Sequence, residues 1–109
     1  MVMQDWSENI LMVELADDPE LTDELTALTE RMENQAKDVV LNFTEVKFIN
    51  SSNISRLLKL RKALLAQNKK LCLCGIAVQV WGVFLLTGLD SLFDVAEDTA
   101  SALASMQMR

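Results

Sequence analysis

Short continuous apolar runs alternate along the chain with longer stretches whose apolar positions recur at helical spacing. Ile10-Leu11-Met12-Val13-Glu14-Leu15 reads as a strand, with a weaker one beside it around Gln4 to Ser7. Asp17-Asp18-Pro19-Glu20 is a helix-start signal: an acidic cap, a proline in the first turn, and carboxylates at the positive end of the dipole. Leu21, Leu25, Leu28 and Met32 then form one narrow apolar stripe on an acidic helix that ends near Asn34 or Gln35. Val39 to Phe43 is apolar on both parities, as a parallel strand buried on both faces would be.

Thr44 to Asn50 reads as a loop, and Asn50-Ser51-Ser52-Asn53 is a cluster of helix-capping residues. Ile54, Leu57, Leu58, Leu64 and Leu65 make the apolar face of a second helix, which runs to about Ala66. Lys70 to Cys74 is another buried strand, Ile76 to Leu86 a third helix closed by Gly88, Leu92 to Val95 an edge strand, and Thr99 to Met106 a last helix. The composition does not break anywhere, so one α/β domain spans residues 1–109, with Val39–Phe43 and Lys70–Cys74 as neighbouring parallel strands.

The third helix is apolar on too many sides for a helix lying on a small domain. Ile76, Val80, Val83 and Phe84 share the face that meets the sheet, while Val78, Trp81 and Leu85 share the opposite one. Either the last helix folds over that second stripe, or the stripe is an interface for a partner or a homodimer through the third helix. Trp81 tips the reading toward an interface, because tryptophan is enriched at binding hot spots.

Charge narrows the functional classes. Of 109 residues none is histidine, which removes the usual nucleophile–base pairs and imidazole metal ligands. No glycine-rich phosphate loop, carboxylate pair or metal-ligand cluster stands out, so the chain reads as neither an enzyme nor a cofactor carrier. A net charge of −6 argues against a nucleic-acid partner. The longest near-apolar run, Leu71 to Leu86, is 16 residues and interrupted, too short for a membrane span. The first residues lack the basic start of a signal peptide, so a cytoplasmic location is expected. Residues 1–55 carry 12 acids and 3 bases, whereas six bases fall between Arg56 and Lys70 with no acid among them. Arg56, Lys59 and Lys62 share an outward face, and Arg61 falls near the middle of the apolar face with its head reaching water. Cys72 and Cys74 point to one side of their strand and read as reduced core residues.

Four consecutive polar residues exceed what capping alone needs, which makes Asn50 to Asn53 the most informative segment. The buried strand Val39–Phe43, the pair Phe48-Ile49, the run Asn50-Ser51-Ser52-Asn53-Ile54 and the later Phe84-Leu85-Leu86-Thr87-Gly88-Leu89 follow each other in an order and spacing that resembles the STAS family. That family comprises bacterial anti-sigma factor antagonists and the related cytoplasmic domain of sulfate transporters.

The resemblance implies a single domain with a central mixed sheet of four to five strands and helices packed mainly on one face. It implies an interaction module that binds a kinase-type anti-sigma factor, so regulating sigma-dependent transcription, and is released by that serine kinase. The phosphorylated serine would be Ser51, with Ser52 second, and the partner surface would comprise Asn50, Ser51, Ser52, Asn53, Arg56, Val78, Trp81 and Leu85. Two positions depart from the family's pattern: Asn50 stands where it has an aspartate and Asn53 where it has a glycine. Asn53 would bring a side chain into the surface that a partner approaches. The alternatives are a constitutive STAS scaffold that is never phosphorylated and a STAS module that binds a small ligand.

Overall fold

The computed structural model describes residues 1–107. In chain order the elements are β1 (Val2–Asp5), β2 (Ile10–Glu14), α1 (Leu21–Asn34), β3 (Asp38–Asn42), α2 (Ser51–Ala66), β4 (Leu71–Cys74), α3 (Val78–Thr87), β5 (Asp94–Ala96) and α4 (Thr99–Gln107). A single 3-10 turn, Leu89–Ser91, joins α3 to β5. The five strands form one sheet in the order β1-β2-β3-β4-β5. β1 pairs antiparallel with β2, and every later pair is parallel, with Val39 opposite Leu71 and Leu41 opposite Leu73.

Both sheet faces are covered, which explains the apolar residues on both strand parities. Leu11, Val13, Val39, Leu41 and Leu73 face one way, against Leu25 and Leu28 of α1, Leu57, Leu60 and Leu64 of α2, and Val80 and Phe84 of α3. Ile10, Val40, Cys72 and Cys74 face the other way, against Ala102 and Met106 of α4. Three helices therefore lie on one face and a single helix on the other. Because α4 crosses the sheet, it does not fold over the outer stripe of α3.

Several expectations need correction. Pro19 lies outside α1, which starts at Leu21, and its N-cap Glu20 accepts no side-chain capping bond. The first strand begins at Val2 and α3 begins at Val78, two residues on from Ile76. On α2 the buried apolar positions are Leu57, Leu60 and Leu64, spaced three and four apart, so Leu65 points outward and is exposed. Leu92 and Phe93 precede β5 instead of forming it, because the 3-10 turn uses the residues just before them. Arg61 donates from Nε to the Leu92 carbonyl at 3.0 Å and lies 5.9 Å above the Phe93 ring, so its head closes this corner of the core. Gly88 closes α3 with a φ of 75°, a backbone setting that glycine adopts without strain.

Cys72 and Cys74 are free thiols buried beneath α4. Burial pushes both up, with Asp94 adding to the effect at Cys72. Cys74 rises from 9.0 to about 11, with the neighbouring Cys72 and Asp98 contributing after burial. A raised value means that the folded chain keeps a proton the unfolded chain releases. The stability owed to these thiols is therefore complete below pH 9 and is lost as pH rises toward about 11. Urea titrations across that window are expected to show a falling midpoint that a Cys72→Ala, Cys74→Ala double variant reduces. At pH 8 a thiol-specific reagent should label the folded chain at least about tenfold more slowly than the urea-unfolded one.

Candidate functional site

After β3 the chain leaves the sheet through a loop held down by Val46, which is fully buried and donates its N–H to the Phe43 carbonyl at 2.9 Å. The loop ends at Asn50, whose extended backbone (φ −123°, ψ 178°) makes it the N-cap of α2. Asn50 Oδ1 accepts from the Asn53 N–H at 2.9 Å, and Asn53 Oδ1 accepts from the Asn50 N–H at 3.0 Å. This reciprocal capping box satisfies two backbone donors at once. It sets Ser51 and Ser52 as the first two residues of the helix, and both are exposed.

Both amide nitrogens are used as well. Asn50 Nδ2 donates to Asp18 Oδ2 at 2.9 Å, and Asn53 Nδ2 donates to Asp18 Oδ1 at 3.2 Å and to Thr22 Oγ1 at 2.9 Å. The Asp18 carboxylate thus grips the start of α2 with both oxygens from the loop that follows β2. The run Asp17-Asp18-Pro19-Glu20 reads in the sequence as an acidic start for α1, yet the Asp18 side chain bonds the start of α2. The signal available was its spare acceptor capacity beside a proline that cannot supply an N–H.

Asn53 is wholly buried, so its side chain does not enter a partner surface. It is a structural member of the site, and every hydrogen-bonding group it carries there finds a partner. Arg56, one turn further along α2, is partly exposed. With Lys59 and Lys62 it lines one wall of a groove of about 480 Å³, faced by Thr26, Thr29, Glu30 and Glu33 of α1. The basic stripe is therefore outward but not isolated.

On α3, Val78 and Leu85 are 87% and 54% exposed, and Leu86 joins them at 90%. Trp81 differs. Its ring stacks on Phe84 with centroids 5.9 Å apart, and it packs against the main core, partly buried. The expectation of an open Val78–Trp81–Leu85 stripe is thus corrected: a 60° offset turns the large indole down onto the domain.

Residues 7–102 match the family described as the STAS domain. The chain belongs to the STAS domain family. Solved STAS-fold structures similar to it include a Thermotoga maritima protein described as an anti-sigma factor antagonist (14% identity, TM-score 0.85, covering 97% of this chain and 93% of that one). A Planctomyces limnophilus anti-sigma-factor antagonist (STAS) domain protein shares 18% identity at a TM-score of 0.83, covering 97% of both chains. The anti-sigma factor antagonist SpoIIAA in its unphosphorylated form shares 15% identity at a TM-score of 0.79, covering 99% of this chain and 98% of that one. At these identities the likeness establishes the fold. No curated protein matches the chain.

Within this STAS domain, Asn53 is the buried member of the network, while Asp18 and Asn50 are exposed and water can replace a partner they lose. Asn53→Ala is expected to cost about 2–3 kcal/mol and Asp18→Ala about 1–2 kcal/mol in urea unfolding. Asn50→Asp keeps the cap acceptor but sets two carboxylates in contact, so it too should lower stability. Trp81→Ala should cost about 2 kcal/mol by the same measurement, as loss of a partly buried ring does.

Proposed function

We propose that this STAS domain is a phosphorylation-switched anti-sigma factor antagonist. Unmodified, it binds a kinase-type anti-sigma factor through Asn50, Ser51, Ser52 and Arg56, and so frees a sigma factor for transcription in the cytoplasm. It carries out no catalysis of its own. The observation that carries this reading is the exposed Ser51 hydroxyl on the first residue of α2, above a cap locked by Asp18. A phosphate there adds roughly −1.5 to −2 charges at the positive end of a helix dipole. The first-turn N–H groups tolerate that charge, so the fold survives while the outer surface changes sign and bulk. Asp18 holds a carboxylate at this helix end, close to where the family's own aspartate is replaced by Asn50.

One observation favours the constitutive scaffold as second reading. Asn50 lacks the charge that the family places directly beside the serine. Incubation with a serine kinase of the sigma-regulatory type and ATP, followed by intact mass measurement, separates the two. Addition of one phosphate to the parent chain and none to Ser51→Ala is the expected result. Ser51→Asp should then weaken binding to the anti-sigma partner by about a hundredfold or more, as a charge buried against a fitted surface does. An unshifted mass with a kinase that modifies its own cognate substrate leaves the scaffold reading in place.

A further inference from the structure

The outward face of α2 carries serines at its start and bases after them. At about 100° per residue, Ser51, Ser52, Ser55, Arg56, Lys59 and Lys62 fall within about 140° of arc. Arg56 is partly exposed and the other five are exposed. The two candidate phosphorylation positions therefore head the same helix face that the three bases continue, at intervals of three residues.

Nothing within the domain accounts for those bases. Among the described residues none of the three forms an ion pair, although Glu30 and Glu33 stand across the groove on α1. They do not complement the helix dipole, because the last turn of α2 holds no base. Arg56 with Lys59, and Lys59 with Lys62, are like charges three residues apart, which weakens the helix. Composition does not supply them either: on a chain of net charge −6, six bases run from Arg56 to Lys70 with no acid among them.

We infer that this row receives an acidic segment of the kinase-type anti-sigma factor, laid along α2 from Ser51 toward Lys62. The inference rests on the antagonist reading and adds the chemistry of the partner to it. Sign selects the occupant. A partner that covers the serines and continues down the same face meets three unpaired cations in succession, so carboxylates match it and bases are repelled. The opposite wall sets the position, since Glu30 and Glu33 hold an acidic segment to the α2 side of the groove. The row also accounts for release. A phosphate on Ser51 adds roughly −1.5 to −2 charges at its head, where the partner's carboxylates would meet like charge instead of cations. Charges this exposed act on the rate of encounter more than on residence.

Surface plasmon resonance against an immobilised serine kinase of the sigma-regulatory type tests it. Association of the parent chain should slow at least about tenfold between about 50 mM and about 300 mM salt. A Lys59→Glu, Lys62→Glu double variant should associate about tenfold more slowly at the lower salt and lose most of the salt dependence, with an unchanged circular-dichroism spectrum. A Glu30→Gln, Glu33→Gln double variant should move the other way, about two- to threefold faster, which loosening of the helix pair would not produce. Association that ignores salt and both double variants overturns this inference and leaves the antagonist reading standing. So does a charge reversal that speeds association, since it shows a basic partner surface. A parent chain that the kinase does not bind at either salt overturns both.

Discussion

Strands β3 and β4 are buried on both faces, and this constraint governs the rest of the molecule. A strand with apolar partners above and below has no side on which to carry a polar side chain without stranding it. The chemistry of the domain is consequently pushed to the strand ends. Asp18 follows β2, Asn50 follows β3, and the uncapped start of α3 follows β4. Parallel pairing places these exits at the same edge of the sheet, so loops far apart in sequence become neighbours. The hydrogen bonds between Asp18 and the two asparagines, 32 and 35 residues away, are the direct product of that arrangement.

The site built there combines a rigid base with an open top. Asn53 is fully buried, and its amide bonds both the loop after β2 and the first turn of α1. Among the described residues every buried side-chain nitrogen and oxygen has a partner, and both serines are exposed to solvent. Under the proposed switch, a phosphate on Ser51 would meet the helix-end N–H groups on the solvent side of this base. Asn50 in place of an acid fits the same economy, since its amide donates to Asp18 where a carboxylate would repel it.

The outer surface divides by charge. The acidic first half of the chain supplies α1, while the bases of α2 form the wall of a groove facing Glu30 and Glu33. α3 contributes no charge at all and exposes Val78, Leu85 and Leu86, while Val2, Phe48 and Leu65 are exposed apolar residues elsewhere. Its outward side chains are not leftovers of core packing, because Val80 and Phe84 already complete the core on the inner side. The two surfaces, one polar at the start of α2 and one apolar along α3, belong to separate elements and can be used separately.

Much of this was legible in residue order alone. The apolar runs Val39–Phe43 and Lys70–Cys74, the stripe at Leu21, Leu25, Leu28 and Met32, and the Asn50–Asn53 cap determine where strands and helices form, because period and capping act over a few residues. The glycine after α3 is legible for the same reason: Gly88 carries the backbone turn by itself. What the sequence left open depends on distance. Asp18 beside Pro19 satisfies every local rule for capping its own helix, yet its carboxylate serves α2, since only sheet pairing brings those loops together. Asn53 looks exposed in a polar run and is wholly enclosed, because α1 closes over it. Trp81 looks like a surface anchor and lies half-buried on Phe84, while α4 covers the far face of the sheet and leaves Leu86 bare. Local energetics chose the elements; which face each one hides was decided only when the layers packed.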